Sequence, residues 1–163
     1  MTLTRTSFLI SAALAAAMVL GGCATTDAPT TLTDTAGRTP QLSTLSRLIN
    51  QAGLADTLRG AGPYTVFAPT DDAFKALPAK TLEELSSNKE LLRSVLTYHV
   101  VAGKAMSADA KNGNLVTLQG TNVAIYKSGS FLTVEDAVVT QTDVQASNGA
   151  IHIIDKVLLP LRR

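Results

Sequence analysis

Few side chains in this chain have the chemistry for catalysis or metal binding. The 163 residues include two histidines, His99 and His152, and one cysteine, Cys23. A zinc site needs three or four His, Cys or carboxylate ligands at a suitable spacing, and two histidines with scattered acids do not supply them. A Ser-His-Asp triad can be drawn from Ser147, His99 and Asp155, but no G-x-S-x-G nucleophile turn accompanies it. We therefore expect no enzyme activity, no bound metal and no cofactor.

The adjacent acids Asp71 and Asp72 are a second candidate site, either as a carboxylate pair or as calcium ligands. Neighbouring residues of a helix point to different sides, and calcium needs further oxygen ligands that the surrounding sequence does not pattern. Thr70 directly precedes them and is a favoured helix N-cap, while acids suit the positive end of the helix dipole. We interpret the two acids as helix-capping charges.

Cys23 follows a sequence typical of exported lipoproteins. Arg5 precedes an apolar run over residues 8–20, which is too short and too rich in alanine for a membrane-spanning helix. The run ends in Leu20-Gly21-Gly22-Cys23, which resembles a bacterial lipobox. This predicts a signal peptide at residues 1–22, cleavage before Cys23 and lipidation of its thiol. An ordinary signal peptide with a chance cysteine and a spanning anchor stay open as alternatives.

The remaining chain has balanced charge and the length of one domain. Without Arg5 it carries 13 basic and 13 acidic side chains, which argues against nucleic acid or an anionic membrane as the main partner. Residues 23–40 are rich in Thr, Ala, Asp and Pro without an apolar period, which predicts a lipidated, flexible tether. Residues 41–163 then suit a single domain.

Helices are predicted in the first half of this domain. Apolar residues recur at spacings of three and four over residues 42–52, which predicts an amphipathic helix. Thr81 with Glu84, and Ser87 with Glu90, have the spacing of capping boxes and predict two more helix starts.

Strands are predicted in the second half. Five short apolar runs, separated by Gly, Asn and Ser, cover residues 115–118, 123–126, 131–134, 138–144 and 151–159. Their spacing of roughly ten residues favours β-hairpins and a core between sheet layers. Helices followed by strands predict an α+β domain.

Two segments far apart in the chain resemble the two signature segments of the fasciclin, or FAS1, domain. The first, TVFAPTDDAF at residues 65–74, has a buried strand, a proline and a capped helix start. The second, SNGAIHIIDKVLLP at residues 147–160, has a tight-turn signal and an apolar strand closed by proline. A third match, YHVV at residues 98–101, lies between them in the family's order. The residues that carry the two signatures are Thr65, Phe67, Pro69, Thr70, Asp71, Phe74, Asn148, Gly149, His152, Asp155 and Pro160.

The resemblance implies a FAS1-like fold, with N-terminal helices packed on a β-sandwich or wedge of short, mostly antiparallel strands. It also implies that Tyr98 and His99 are a possible interaction site, because this segment has been linked to integrin recognition in animal members. Their place between a capped helix and an apolar strand favours a packed joint instead. His152 alternates with apolar neighbours, so we expect it at the sheet surface or hydrogen-bonded under a loop.

Together these features predict a single-domain FAS1 lipoprotein of the bacterial envelope, acting as a non-enzymatic adhesion or binding module. The expected partners are an unknown surface protein or polysaccharide and, through the lipid anchor, the membrane. Ala24 rather than Asp after the cysteine favours the outer membrane if the organism has one. A binder of a glycan, lipid or other small or polymeric ligand, and an enzyme with an unrecognised site, stay open as alternatives.

Overall fold

The computed structural model describes residues 30–160. The predicted signal peptide at residues 1–22 and Cys23 lie outside these residues, and so do residues 161–163.

Six α-helices and seven β-strands make up this part of the chain. The helices are α1 Leu32–Arg38, α2 Ser43–Ala52, α3 Ala55–Arg59, α4 Asp71–Lys75, α5 Ala79–Ser87 and α6 Lys89–Tyr98, with a 3-10 turn at Pro40–Leu42 before α2. The strands are β1 Tyr64–Pro69, β2 Val100–Ala102, β3 Gly113–Val116, β4 Asn122–Ser128, β5 Phe131–Val134, β6 Ala137–Ala146 and β7 Gly149–Ile154.

The flexible tether predicted for residues 23–40 is wrong over residues 32–38, because helix α1 occupies them. The Thr31 hydroxyl caps α1 by accepting a hydrogen bond from the Asp34 amide at 3.4 Å. Leu32 and Ala36, one turn apart, are each only 2% exposed and join the core. Because α1 packs on the core, the domain begins earlier than expected. The sequence did not reveal this helix, since two apolar side chains in a Thr- and Asp-rich stretch are too few to show a helical period.

Both predicted capping boxes are wrong. Thr81 lies inside α5, which begins at Ala79 after Pro78, and Ser87 is the last residue of that helix. Asn88 caps α6 instead, where its Oδ1 accepts from the amides of Glu90 at 3.1 Å and Leu91 at 3.0 Å. Asparagine is at least as good an N-cap as serine, so Asn88 takes this place.

The seven strands form one sheet in the order β2-β1-β7-β6-β5-β4-β3. Only the β1–β7 pair is parallel, with Tyr64 opposite Gly149 and Pro69 opposite Ile154. An isolated bridge between Val101 and Thr117 brings the two edges of the sheet together, so it is nearly closed into a wedge. The predicted α+β, FAS1-like architecture is confirmed.

Strands β1 and β7 are buried on both faces, because the sheet has the helices on one side and the inside of the wedge on the other. Val66, Ala68 and Ile151 join the cluster formed with the helices. Phe67 and Ile154, which point the opposite way, join the cluster inside the wedge. This arrangement explains why the second signature is apolar without alternation. Strand β7 ends at Ile154, five residues before the predicted end.

Candidate functional site

His99 joins helix α6 to the chain segment after β7. Its ring is 1% exposed, Nδ1 lies 2.7 Å from the carbonyl oxygen of Val95, and Nε2 accepts a hydrogen bond from the Leu158 amide at 2.9 Å. Nδ1 therefore carries the proton and donates to Val95. Burial lowers the pKa of His99 to about 4, so the ring is neutral at physiological pH. The His99 ring is internal, as the sequence favoured, but it joins α6 to the segment after β7 rather than to a strand.

Tyr98 is placed differently, because its hydroxyl end reaches a cavity. The residue is 7% exposed, and its hydroxyl donates to the carbonyl oxygen of Asn122 at 3.4 Å. Burial raises the pKa of Tyr98, and the negative charge of Glu135 raises it further. The two neighbouring residues therefore differ in their surroundings, because His99 is internal whereas Tyr98 lines a surface cavity.

Two cavities share Leu159 in their lining, and we call them together the Leu159 groove. Its first cavity, of about 430 Å³, lies between α5, α6 and the segment after β7, and is lined by Lys80, Thr81, Glu84, Leu85, Leu91, Ser94, Val95, Gln119, Leu159 and Pro160. Its second cavity, of about 400 Å³, is lined by Tyr98, Asn122, Glu135, Asp136, Leu158 and Leu159. Leu159 belongs to both cavities and is 45% exposed.

The wall of the groove is held by specific hydrogen bonds. The Leu158 amide is fixed on His99, and the Gln119 side-chain amide donates to the Ser94 hydroxyl at 2.6 Å. The first cavity combines apolar side chains such as Leu85 and Leu159 with polar ones, which is the usual lining of a ligand-binding site. Within residues 30–160 no cluster of three or more His, Cys, Asp or Glu side chains could hold a metal ion.

The residues of the first signature hold helices and strands together. Phe67 and Phe74 are buried in the core. The Thr65 hydroxyl donates to the carbonyl oxygen of Gly103 at 2.7 Å and accepts from the Ala105 amide at 2.8 Å. The predicted N-cap is present, since the Thr70 hydroxyl accepts from the Ala73 amide at 3.2 Å.

Asp71 and Asp72 lie in the first turn of α4 as predicted, but the Asp71 carboxylate also caps helix α2, which the sequence did not predict. This carboxylate accepts from the Ser43 hydroxyl at 2.6 Å and from the Thr44 amide at 2.7 Å, both in the first turn of α2. Burial alone would raise the pKa of Asp71, but the bonds from Ser43 and Thr44 prevail and lower it. Asp72 instead forms an exposed ion pair with Lys75 at 2.8 Å. Sequence spacing could not reveal a contact between α4 and α2.

His152 is a framework residue under the loop formed by residues 103–112. Its Nδ1 accepts from the Asp143 amide at 3.3 Å, so Nε2 donates to the carbonyl oxygen of Ala105 at 2.7 Å. The ring also stacks on Phe67, with 5.7 Å between ring centroids. Of the two expected positions, the one under a loop is observed. Asp143, which the sequence analysis missed, fixes the same loop by accepting from the hydroxyl and the amide of Ser107.

Asn148 ties three segments of the chain together, and we call this set of bonds the Asn148 staple. Its Oδ1 accepts from the Leu32 amide at 3.0 Å, and its Nδ2 donates to the carbonyl oxygens of Leu58 at 2.7 Å and Gly60 at 3.0 Å. Its own carbonyl oxygen accepts from the Tyr64 amide at 3.1 Å. The turn between β6 and β7 therefore also anchors α1 and α3.

The last residues of the second signature also hold neighbouring strands together. A Cβ on Gly149 would lie 1.9 Å from the carbonyl oxygen of Tyr64, so only glycine fits there. The Asp155 carboxylate accepts from the Val138 amide at 2.7 Å, which fixes β7 to the start of β6. Pro160 alone among the signature residues lines the groove.

Residues 40–160 match the family model of the fasciclin domain. The chain is 43% identical over 139 residues to the protein sll1483 of Synechocystis sp., and the match covers 84% of this chain and 77% of that protein. It is 44% identical over 130 residues to the immunogenic protein MPB70 of Mycobacterium bovis, covering 77% of this chain and 66% of that protein. It is 41% identical over 130 residues to the cell surface glycolipoprotein MPB83 of the same species, covering 77% of this chain and 58% of that protein.

A solved structure shares the fold. The FAS1 domain pair of the insect cell adhesion molecule fasciclin I matches with a TM-score of 0.63 at 20% identity, over 80% of this chain and 51% of that chain. At this identity the likeness concerns the fold. Across residues 30–160, no helix combines the length and the apolar character needed to cross a membrane.

Proposed function

Because the chain belongs to the fasciclin-domain family, we propose that it is a non-enzymatic adhesion or binding module of the cell envelope, and that the Leu159 groove is its contact surface. The observation that carries this proposal is the half-exposed Leu159 between two cavities, with a wall fixed from behind by His99. The cavities on either side of Leu159 combine apolar and polar side chains, as ligand-binding sites do. The similarity to MPB83, a cell surface glycolipoprotein, and to fasciclin I, a cell adhesion molecule, supports the same class of function.

Export and lipid anchoring are part of the proposal. Export is supported by the apolar run before Cys23 and by the cell-surface relative. A diacylglycerol on the Cys23 thiol, together with an acyl chain on its new amino group, would make membrane attachment effectively permanent. The proposed site is the outer membrane if the organism has one, since Ala24 follows the cysteine.

The anchoring can be tested by replacing Cys23 with Ser. The wild-type protein should incorporate labelled palmitate and fractionate with membranes, whereas Cys23→Ser should do neither. A serine variant that still takes up palmitate and stays in the membrane fraction would show that the lipobox interpretation is wrong.

The proposed partner is a surface protein. A polysaccharide or other glycan, a lipid, or another small or polymeric ligand is the second candidate, and the mixed lining of the first cavity favours a glycan. Lys80, Ser94 and Gln119 supply hydrogen-bonding groups there, next to the apolar Leu85 and Leu159. Sugars offer the same combination of hydroxyl groups and apolar ring faces.

The contact surface can be tested with two matched charge substitutions. Beads coated with the purified protein should adhere to isolated envelopes of the source cells, and Leu159→Glu should abolish adhesion because it places a charge in the groove. Phe131→Glu is the control, since Phe131 is 71% exposed and lines neither cavity of the groove. Equal adhesion by the wild type and both variants would contradict the proposed surface. Released sugars that compete with the beads would identify the glycan alternative.

A further inference from the structure

The start of the described chain is fixed to one end of the sheet. The Ser147 amide donates to the carbonyl oxygen of Thr30 at 2.8 Å, and the Leu32 amide donates to Asn148 at 3.0 Å. Leu32 is also buried, at 2% exposure. From Thr30 onward the backbone is therefore part of the folded domain.

This attachment limits the distance between the domain and a lipid on Cys23. Seven residue steps separate Cys23 from Thr30, and a fully extended chain of that length spans about 25 Å. A random coil of the same number of residues would have a root-mean-square span of about 15 Å. A tether that ran to Pro40 would instead have reached about 60 Å.

The attachment point and the groove lie at opposite ends of the domain. Parallel strands β1 and β7 begin at Tyr64 and Gly149, beside the Asn148 staple, and end at Pro69 and Ile154. Each strand carries the chain about 17 Å along the sheet. The groove-forming segment at Leu158–Pro160 follows β7 and bonds to His99, whose carbonyl oxygen accepts from the Phe67 amide at 2.9 Å, three residues along β1 from Tyr64. We call the two ends the staple end and the groove end.

We propose that the staple end of the domain faces the lipid headgroups and that the Leu159 groove faces away from the membrane. This inference rests on the proposed lipidation of Cys23, and it adds an orientation that lipidation alone does not give. The membrane-facing surface is the shallow hollow lined by Gly62, Pro63, Lys104 and Ser147. An outward groove is then available to a partner outside the membrane.

The orientation is set by the short spacer, residues 24–29 between Cys23 and Thr30, and not by charge. The cations Arg38 and Arg59 near the staple end both interact electrostatically with Asp34, and Arg59 lies 3.8 Å from each of Asp34 and Asp56. The exposed Lys104 adds one positive charge, which contributes little attraction to a lipid surface at physiological salt. High salt should therefore leave the orientation unchanged, whereas a longer spacer should abolish it.

Two lysine positions give a matched test. Lys104 lies at the staple end, and Lys156 lies at the groove end directly after Asp155; both side chains are exposed. Because Cys23 is the only cysteine and would be acylated, Lys104→Cys or Lys156→Cys would give one labelling site each. A nitroxide at each position is measured on the full lipidated protein in vesicles containing a nickel-chelating lipid. Nickel at the headgroups should increase the spin relaxation rate of the nitroxide several-fold more at position 104 than at position 156.

The controls separate this inference from the proposed anchoring. Inserting about 20 glycine and serine residues between Cys23 and Thr30 lengthens the spacer to about twice its coil span, roughly 29 Å, and should equalise the two labels. Protein that floats with the vesicles but shows equal relaxation at both positions, without the insertion, would overturn the orientation while anchoring stands. Protein that does not float would overturn the anchoring, and the orientation with it.

Discussion

Asn148 at the staple end and His99 at the groove end are both polar side chains that tie together distant parts of the chain. Asn148 holds Leu32, 116 residues away in sequence, and His99 holds Leu158, 59 residues away. Asn148 makes three side-chain hydrogen bonds around a turn that closes the fold. His99 makes two, and one of them positions a segment whose next residue, Leu159, is half-exposed.

The two sets of side-chain hydrogen bonds, those of Asn148 and those of His99, have different roles in the molecule. At the staple end the hydrogen bonds are directed inward, to α1, α3 and β1, and they attach the first helix to the sheet. At the groove end the hydrogen bond of His99 supports a backbone segment that presents side chains outward. We therefore expect changes at the staple end to alter stability, and changes in the groove to alter binding at nearly constant stability.

The largest expected effect is that of Gly149→Ala at the staple end. Its Cβ would collide with the backbone of β1, so the free energy of unfolding should fall by at least about 3 kcal/mol, or the protein should fail to fold. Urea denaturation measures this loss. The control is Gly37→Ala, where the new Cβ would make an ordinary 3.5 Å contact with Ser46 inside α1. There alanine should stabilise the helix by up to about 1 kcal/mol, and a similar loss at both positions would refute the close-packing explanation.

His99 should make stability depend on pH. Its pKa of about 4 in the fold is below the ordinary value of 6.5, so the unfolded chain binds the extra proton between these values. The stabilisation is therefore complete above pH 6.5, declines as the pH falls, and reaches a loss of roughly 3 kcal/mol near pH 4. His99→Gln should remove this slope, and urea melts of both proteins between pH 7 and 4 measure it. Parallel curves would contradict the neutral, buried ring.

Asn148→Ala should destabilise the protein without affecting the groove. Removing the side chain leaves the Leu32 amide and two carbonyl oxygens without these partners, which should cost about 1 to 3 kcal/mol. Adhesion per folded molecule should be unchanged. The substitution should increase the rate of amide hydrogen exchange more in α1 than in β1. An equal increase across the domain would contradict a local role for the Asn148 staple.

The smallest change in stability is expected for Tyr98→Phe. The hydroxyl makes a long hydrogen bond of 3.4 Å at the edge of a cavity, so its loss should cost about 0.5 to 1 kcal/mol. A thermal melt together with bead adhesion distinguishes the two roles that the sequence left open for this residue. Lost adhesion with a nearly unchanged melt would assign Tyr98 to the contact surface, whereas unchanged adhesion would restrict it to packing.

The fold was predictable because its strongest signals are local. The strand, proline and Thr70 cap of the first signature lie within ten residues, and the apolar run of the second is continuous. Helix α1 was missed because only Leu32 and Ala36 face the core. The capping role of Asp71 depends on Ser43, 28 residues away, and such tertiary contacts have no spacing rule.

The groove could not be derived from the sequence. The sequence predicted Leu159 to be the last residue of a strand, but β7 ends at Ile154 and the following segment leaves the sheet and bonds to His99. The expectation that the His99 ring bonds within the domain was confirmed, whereas its partner, a backbone amide, carries no sequence signal. A contact surface built on a backbone hydrogen bond becomes visible only in the folded chain.

Photo-crosslinking in the source cells tests the central claim, that the Leu159 groove is the contact surface, most directly. A photoreactive phenylalanine derivative is placed at position 159 or, as the exposed control, at position 131, and the cells are irradiated. Position 159 should give a discrete adduct of higher mass and position 131 should give none. Adducts from position 131 alone, or equally from both positions, would contradict the assignment of the groove.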